Sequence, residues 1–599
     1  MAATDSAPTA PDIAWQLEDL LDGSSPGELL SEAAARASAF AEHRQGKIAE
    51  IDGPGLAAAT DELAAIAELV GRAGTYAGLR YSVDTADPEN GRLLQQIQEQ
   101  ATQIETTLLF FDLEWAALPD DRAAELLGAG GLDLVQHHLR TIRRFRPHLL
   151  SEPEERILAE TAVTGSDAWE RLFTELASAI AVAVPGAEEP VPLDVASAQL
   201  SSPDRDHRRA VAAAITDALE PTLRTRAFVF NTLLADKATG DRLRSYPTWL
   251  SSRNLANETS DEAVAALVEA VRSSYELPRR WYRLKARLLG LDRLRDYDRI
   301  ATVATSEETY TWEESRDLVL GAFADFSPVL ESAASRFFDE RWIDVPPRPG
   351  KRGGAFCSYA VPAVHPYLML NFTAKRRDVT TLAHELGHGL HALLARDRGI
   401  FEFHTPLTLC ETASVFAEEL VFARLLEQST EPQVRLALLA EQLEGSIATV
   451  YRQIGFNRFE DLVHNERREA GELSVERFGE LWLKASGELF GDSVEMTDGY
   501  ERWWSYIHHF VGMPGYVYAY AFGQLLALSV YGRYREQGEA FVPSYIEMLS
   551  AGGSKSPEEL DAIAGLDLTD PGFWQQGLAL IEAQLTEAEQ AAEAVIAAR

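Results

Sequence analysis

The amino-acid sequence predicts a mainly α-helical fold with a small β-sheet. Apolar residues recur at helical spacing through most of the chain, most clearly at 56–77 and 90–118. Two short runs, 355–359 and 367–372, are predicted as strands, and they follow an irregular loop rich in proline and glycine at 345–354. The strands come directly before a helix that carries several histidines, so we expect the sheet to lie beside that helix.

The other elements follow from the same periodicity. Prolines interrupt the helical pattern at 185–192, and a short strand or hairpin is predicted near 190–200. Residues 1–12, rich in Ala, Thr, Ser and Pro, are predicted to be a disordered tail. Further helices are predicted at 122–142, 152–162, 165–180, 204–290 in several pieces, 310–338, 431–467, 474–490 and 585–599.

The net charge of the chain limits the kinds of binding partner that we expect. Of the 599 residues, 46% are apolar and 25% are charged, which is an ordinary balance for a globular protein. The formal net charge of −38 is not ordinary, and it repels phosphate backbones and anionic membranes. We therefore expect neither a nucleic-acid partner nor a membrane partner.

Cysteine usage and the N-terminus favour a cytoplasmic protein. Two cysteines, Cys357 and Cys410, do not indicate a disulfide framework. The first residues contain no basic region and no apolar run, so no signal peptide is predicted. The apolar stretch 176–184 is too short to span a bilayer.

The most informative stretch is 381–391, which contains the pattern His-Glu-x-x-His. Residues four apart on a helix lie on the same face, so His384 and His388 can direct two imidazoles at one metal ion. Glu385 then lies beside the metal, where a carboxylate can take a proton from a metal-bound water. Asp378 suits the N-cap of this helix. The structural alternative is an ordinary helix with two solvated histidines.

A catalytic zinc site needs a third protein ligand and an open position. Glu411 is the predicted third ligand, because it follows His388 at a distance that leaves room for a loop and a second helix. Glu418, two turns later on the same face, is predicted to hold a ligand imidazole, with a solvated glutamate as the alternative. His391 suits the site less well, because four protein ligands would close it. Cys410 is predicted to be a small buried residue, since neighbouring side chains on a helix point about 100° apart.

The segments that contain these residues resemble the motifs of a known protein family. His384-Glu-Leu-Gly-His388, followed by Glu411-Thr-Ala-Ser-Val-Phe-Ala-Glu418, is similar to the thimet oligopeptidase and oligoendopeptidase F family of zinc metallopeptidases. The segments that resemble the oligoendopeptidase F branch in particular are 351–358, 365–372, 509–510 and 516–521.

The resemblance implies a fold and an activity. The fold is a helical, two-lobed, zincin-type metallopeptidase with a deep channel and a small β-sheet beside the active-site helix. An N-terminal helical domain is placed at 1–200 and a catalytic metallopeptidase domain at 201–599. The expected activity is zinc-dependent endopeptidase cleavage of internal bonds in short unstructured peptides. One Zn²⁺ per chain is expected on His384, His388 and Glu411, with Glu385 as general base.

A second group of candidate residues lies in the loop at 506–520. Two histidines precede a Gly-Met-Pro-Gly turn, and three tyrosines follow it. Neutral Tyr and His side chains are suitable hydrogen-bond donors to an oxyanion. We expect His509 and Tyr516 to act in catalysis, with His508, Tyr518 and Tyr520 as further candidate transition-state donors. The alternative is that these residues only pack.

Two other functions are compatible with the sequence. An exopeptidase of the dipeptidyl carboxypeptidase type would need a cation for the terminal carboxylate of its substrate, and the sequence does not identify one. A non-catalytic peptide-binding helical protein would not need the complete His, Glu, His and Glu set. Mn²⁺ or Co²⁺ could substitute for zinc, since affinity alone does not select the metal.

Overall fold

The computed structural model describes residues 10–303, 308–568, 570 and 572–598. Residues 1–9 of the predicted tail lie outside this part of the chain. In the described residues, no helix is both long enough and apolar enough to cross a membrane.

The chain forms two compact units, each assembled from separate stretches of sequence. The first unit comprises the described residues of Met1–Arg146, Glu307–Leu425 and Val530–Leu568. The second comprises those of Pro147–Ser306, Leu426–Ser529 and Thr569–Arg599. No single cut of the sequence separates these units, and the domain boundary near residue 200 stays a prediction.

The α-helices confirm the mainly helical fold. In chain order they are α1 (Glu18–Leu21), α2 (Pro26–Arg44), α3 (Gly53–Val83), α4 (Pro88–Ala117), α5 (Asp120–Leu127), α6 (Gln136–Arg144), α7 (Glu152–Ala162), α8 (Ser166–Ser178), α9 (Leu193–Ala198), α10 (Arg205–Leu219), α11 (Leu223–Leu243), α12 (Ser251–Ala256), α13 (Asp261–Ser273), α14 (Glu276–Leu288), α15 (Trp312–Phe326), α16 (Pro328–Asp339), α17 (Arg376–Ala395), α18 (Gly399–Glu402), α19 (Thr412–Gln428), α20 (Pro432–Ser446), α21 (Arg452–Ala470), α22 (Val475–Phe490), α23 (His509–Gly512), α24 (Tyr518–Gln537), α25 (Val542–Ser550), α26 (Pro557–Ile563) and α27 (Phe573–Ala597).

The strands are few and short. In chain order they are β1 (Ala181–Val182), β2 (Val191–Pro192), β3 (Leu294–Arg295), β4 (Ile343–Asp344), β5 (Phe356–Ser358), β6 (Tyr367–Met369) and β7 (Val494–Glu495). β1 pairs with β2 antiparallel, and β3 pairs with β7 parallel. The third sheet has the order β4-β6-β5, in which β6 is parallel to β4 and antiparallel to β5, with Cys357 opposite Leu368.

The three-stranded sheet lies in the first unit beside α17. Its two strands β5 and β6 confirm the predicted strands at 355–359 and 367–372, although each is shorter than predicted. Both strands pack against α17, which carries the His-Glu-x-x-His pattern. β5 forms one edge of the sheet, so one side of its backbone faces away from β6.

Two of the sequence predictions were wrong in detail. The single helix predicted at 122–142 is two helices, α5 and α6, because Gly128, Gly130 and Gly131 interrupt it and Gly131 adopts a φ of +90°. The N-cap of α17 is Lys375 rather than Asp378. Asp378 lies in the first turn, where its Oδ2 accepts hydrogen bonds from the backbone N–H of Thr373 at 2.6 Å and of Lys375 at 3.0 Å.

Each unit has its own aromatic and aliphatic core. In the first unit Phe40, Phe110, Phe111 and Trp115 pack between α2 and α4, and Trp115 donates its indole N–H to the backbone oxygen of Leu139 at 2.8 Å. In the second unit the rings of α11, α21 and α22 form the core. Phe230 stacks on Phe478 at 5.2 Å, and Phe478 stacks on Trp504 of the 3-10 helix Tyr500–Tyr506 at 4.7 Å.

A glycine lets α17 approach the first turn of α19. A Cβ on Gly387 would lie 2.5 Å from the backbone oxygen of Ala413 and 2.6 Å from the Cα of Ser414. Both of these atoms belong to the backbone, which cannot rotate away. The absence of a side chain at Gly387 therefore sets how closely the two helices pack.

We expect Gly387→Ala to destabilise the protein by about 1–3 kcal/mol, the usual cost of overpacking a tight contact. The matched control is Gly74→Ala in α3, where a Cβ meets nothing within 4 Å. This control should be neutral or stabilising by up to ~1 kcal/mol, because alanine is the better helix former. Thermal and urea unfolding of both variants would check this. Equal stabilities for the two variants would contradict the close-packing account.

Candidate metal centre

Three side chains of the first unit converge on one point. His384 and His388, one turn apart on α17, present their Nε2 atoms 3.2 Å from each other. Oε2 of Glu411, directly before α19, lies 3.4 Å from each of these nitrogens. The structure thus brings together the three residues predicted as ligands, within a group that could hold a metal ion.

The distances between these atoms fit a tetrahedral zinc site. Zinc binds imidazole nitrogen and carboxylate oxygen at about 2.0–2.1 Å, and tetrahedral angles then separate neighbouring ligand atoms by about 3.3 Å. The observed triangle has sides of 3.2, 3.4 and 3.4 Å. A triangle of three such ligands leaves the fourth tetrahedral position for water or substrate.

Two further side chains hold the ligands in place. Glu418 Oε1 lies 2.6 Å from Nδ1 of His384. Because a carboxylate can only accept, this contact assigns the Nδ1 proton to His384 and turns its Nε2 lone pair toward the other ligands. Ser414 donates its hydroxyl to Oε2 of Glu411 at 2.7 Å. The predicted position of Glu418 beside a ligand imidazole agrees with this geometry.

The surroundings of the triangle stabilise positive charge. Burial lowers the pKa of His384, but the hydrogen bond to Glu418 and the charges of Glu418, Glu411 and Glu385 outweigh it and raise that pKa to about 9. Burial raises the pKa of Glu411, but His388, His384 and Ser414 bring it down to about 2. Glu411 is therefore ionised at neutral pH, as a metal ligand must be.

Glu385 occupies a different environment from the ligands. Its side chain is buried, with 6% exposed. Burial raises its pKa above the ordinary value, while His384 and His388 act in the opposite direction. A carboxylate with a raised pKa next to a metal-ligand cluster is suited to accept a proton near neutral pH.

The less favoured ligands lie outside the triangle. His391 is buried, and burial together with His388 and His404 lowers its pKa to about 3, so its imidazole is neutral. Burial and the charge of Glu411 raise the pKa of the Cys410 thiol, whose Sγ lies 3.0 Å from the backbone oxygen of Leu407. Neither residue belongs to the group of ligand atoms that converge on the candidate metal position.

The structure adds Tyr359 to the surroundings of the site. This residue directly follows β5, and its ring lies 6.5 Å from that of His388 and 5.3 Å from that of His404, on which it stacks. Tyr359 was not predicted from the sequence. The available signal was its position at the end of the strand that precedes the metal helix.

The candidate donors of the loop at 506–520 belong to the second unit. His509 Nε2 lies 3.1 Å from the hydroxyl of Tyr520, and the rings of Tyr516 and Tyr520 meet edge to face at 5.0 Å. His508 instead lies 3.0 Å from the hydroxyl of Thr174. Tyr518 is fully buried, and its hydroxyl accepts a hydrogen bond from Asn257 at 2.9 Å. The structure brings together His509, Tyr516 and Tyr520, and it places His508 and Tyr518 apart from them.

Comparison with known proteins identifies the family. A model described as "Peptidase family M3" matches residues 198–580, and one described as "Oligopeptidase F" matches residues 114–181. The first match covers well over half of the chain. The chain belongs to peptidase family M3.

The relatives of this M3 peptidase agree with the assignment. "Oligopeptidase PepF" of Bacillus subtilis (strain 168) is 28% identical over 535 residues, which cover 88% of this chain and 79% of the relative. "Group B oligopeptidase PepB" of Streptococcus agalactiae is 27% identical over 526 residues, covering 86% of each chain. The chain is a metallo-oligopeptidase of the oligoendopeptidase F type that hydrolyses peptides.

Solved structures share the fold. A putative peptidase from Chlamydophila abortus superposes with a TM-score of 0.84 at 23% identity, covering 96% of this chain and 98% of that one. Oligoendopeptidase-F from Enterococcus faecium superposes with a TM-score of 0.72 at 22% identity, covering 95% and 98%. These similarities confirm the mainly α-helical peptidase fold.

A buried carboxyl group holds the turn between α23 and α24, which carries Tyr516. Glu460 on α21 is fully buried, and its Oε1 accepts a hydrogen bond from the backbone N–H of Gly515 at 2.8 Å. Gly515 has a φ of +75°, which few other residues adopt. Burial raises the pKa of Glu460 to about 8, against about 4.5 for an exposed glutamate.

This raised pKa predicts a pH-dependent stability. As the pH rises from about 4.5 to 8, the unfolded chain loses this proton while the folded chain keeps it, so the free energy of unfolding falls. Glu460→Gln imitates the protonated form and should become more stable than wild type as the pH rises, by at least ~1.4 kcal/mol at pH 8. Urea unfolding at pH 5 and pH 8 measures this. The exposed Glu469 on α21 supplies the control, Glu469→Gln, and an equal gain in that variant would contradict the prediction.

Proposed function

We propose that this M3 peptidase is a cytoplasmic, zinc-dependent endopeptidase that hydrolyses internal bonds of short unstructured peptides. The observation that carries the proposal is the triangle of His384, His388 and Glu411, with Glu385 beside it. The triangle has the ligand types, the spacing and the open position of a catalytic zinc site.

In the proposed mechanism each residue has a separate role. One Zn²⁺ per chain, bound by His384, His388 and Glu411, would supply Lewis acidity and would lower the pKa of a coordinated water. Glu418 fixes the tautomer and orientation of His384. Glu385 accepts the proton of the attacking water and then delivers it to the leaving amine.

The sheet beside α17 supports an extended peptide as substrate. β5 is an edge strand, and its central residue Cys357 lies within electrostatic reach of Glu385. An edge strand can pair with the backbone of an extended chain, which gives affinity without requiring a particular side-chain sequence. A folded protein presents few extended and unpaired segments, so short unstructured peptides suit this edge best.

The cluster in the second unit is proposed to supply donors to the substrate oxyanion. Tyr520 and His509 share a hydrogen bond, and Tyr516 packs against both rings. Neutral hydroxyl and imidazole donors stabilise developing negative charge without changing their own protonation. His509 and Tyr516 keep the roles expected from the sequence, and Tyr520 joins them because of its contact with His509.

Cleavage of a peptide blocked at both ends tests the proposed function. We expect an internally quenched decapeptide with acetylated and amidated termini to be cut, because an endopeptidase needs neither terminus. Glu385→Gln should retain one zinc per chain while losing about 10²–10⁴ in rate, the usual contribution of a general base. The control is Glu427→Gln, which changes an exposed glutamate of α19. Cleavage that requires a free C-terminus would favour an exopeptidase, and full activity of Glu385→Gln would refute the assigned base.

A tyrosine substitution tests the proposed donors. Tyr520→Phe removes the hydroxyl that contacts His509 and should lower kcat by about 10²-fold with little change in KM, because such a donor acts mainly in the transition state. Tyr518→Phe provides the comparison, since its hydroxyl is held by Asn257 and its loss should lower thermal stability instead. A normal kcat for Tyr520→Phe, or an equal loss in Tyr518→Phe, would contradict the assignment.

A further inference from the structure

A small cavity lies in the second unit, close to the start of α23 at His509. Its volume is about 70 Å³, several times the space that one water molecule needs. Helices α21 and α22, the segment around Arg299 and the turn at Tyr500–Tyr506 surround it. The polar side chains that line it are those of Arg299, Arg452, Trp482, Ser486, Tyr500, Trp503 and Tyr506.

Two arginines face this cavity without a carboxylate partner. Neither Arg299 nor Arg452 forms an ion pair with any described residue, although the chain has 93 acidic and 55 basic residues. Asp296 acts electrostatically on Arg299, but its Oδ1 accepts the backbone N–H of Thr497 at 2.9 Å. Two cations that share a cavity without a counter-charge repel each other, so an anion between them would be stabilised.

Three cations whose side chains are buried are paired with carboxylates, although the fully buried Arg226 is not, and Arg452 at the cavity is exposed. Lys285 binds Glu444 at 2.6 Å, Arg208 binds Asp298 at 2.8 Å, and Lys351 binds Asp344 at 2.6 Å. At the cavity, desolvation and the charge of Arg299 lower the pKa of Arg452, whereas Tyr500, Tyr282 and Asp296 outweigh burial and raise the pKa of Arg299. The guanidinium of Arg452 contacts the ring of Phe456 at 6.0 Å and makes no hydrogen bond within the described part of the chain.

Several hydrogen-bond donors around the cavity are also unused. Arg299 donates Nε to the backbone oxygen of Asp296 at 2.9 Å and Nη2 to the hydroxyl of Tyr500 at 3.2 Å, which leaves Nη1 available. The indole N–H of Trp482, a residue only 3% exposed, has no acceptor among the described residues. Buried donors without partners are costly, and a ligand with several acceptor atoms would satisfy them together.

The two arginines stand in different local surroundings. Arg452 begins α21 directly after a π-helical stretch, Ile447–Tyr451, and such stretches recur at functional sites. Arg299 is held by its two hydrogen bonds and by stacking over Phe490 at 5.0 Å. The guanidinium group of Arg299 is therefore organised before any ligand arrives, which lowers the entropic cost of binding.

We propose that this cavity binds a small oxyanion, a carboxylate or an inorganic phosphate, between the guanidinium groups of Arg299 and Arg452. Guanidinium groups match the paired oxygens of carboxylate and phosphate, and they are weakly hydrated. The volume admits an ion of a few heavy atoms and excludes a nucleotide. The site does not depend on the proposed zinc chemistry, because all of its residues lie in the second unit.

Calorimetric titration of the full chain tests the proposal. Sodium phosphate and sodium acetate would be titrated separately at constant ionic strength, maintained with sodium chloride. We expect at least one of them to bind saturably with one site per chain, and the tighter of the two identifies the class of oxyanion. Failure of both to bind above the chloride background would overturn the proposal.

Matched variants locate the binding in the cavity. Arg452→Gln should weaken binding by at least about tenfold, as expected for loss of a charge-assisted hydrogen bond. The control is Arg224→Gln, which removes the same charge from an exposed position of α11 in the same unit and should change affinity less than twofold. Unchanged binding in Arg452→Gln, or equal weakening in Arg224→Gln, would contradict the site. If Arg452→Gln loses helical structure by circular dichroism, Tyr506→Phe decides the matter, since it removes one hydroxyl and should also weaken binding.

Discussion

The structure of the site depends on bringing three electron-pair donors to within 3.4 Å of one another. Two imidazole nitrogens and a carboxylate oxygen repel each other at that distance unless a positive charge lies between them. The protein enforces the approach by packing α17 against the start of α19, where Gly387 leaves no room for a side chain. Glu418 and Ser414 then orient the ligands, and the surrounding carboxylates favour a cation at this point. The geometry of the metal ligands therefore depends directly on how closely the two helices pack.

The sequence predicted the part of this arrangement that rests on local geometry. The spacing of His384 and His388 follows from one helical turn, and that of Glu411 and Glu418 from two, so these positions could be assigned from the chain alone. Tyr359 could not be assigned, because its contact with His388 depends on how the turn after β5 packs. The error at Asp378 was one of capping chemistry, since a carboxylate in the first turn can reach back to the backbone N–H groups that precede the helix.

Most of the charged groups named here are paired within the protein, and two sites depart from this pattern. The chain as a whole is strongly acidic, and many of its partly buried cations meet a carboxylate. The candidate metal centre differs, because the carboxylates there lie around a position that no side-chain cation of the protein occupies. The cavity of Arg299 and Arg452 differs in the opposite sense. It could not be predicted from the sequence, because these arginines come from distant segments that meet only in the folded unit. At each of these two sites, the side chains of the protein leave a local excess of one charge.

X-ray absorption at the zinc K-edge tests the central claim most directly. The purified protein, loaded with one equivalent of zinc, should show only nitrogen and oxygen neighbours at about 2.0–2.1 Å, with the outer-shell scattering of two imidazoles. This result would match His384, His388 and Glu411 with an oxygen in the fourth position. A sulfur neighbour at about 2.3 Å would bring Cys410 into the coordination sphere, and scattering from three imidazoles would bring in His391. Either observation would contradict the ligand set on which the account rests.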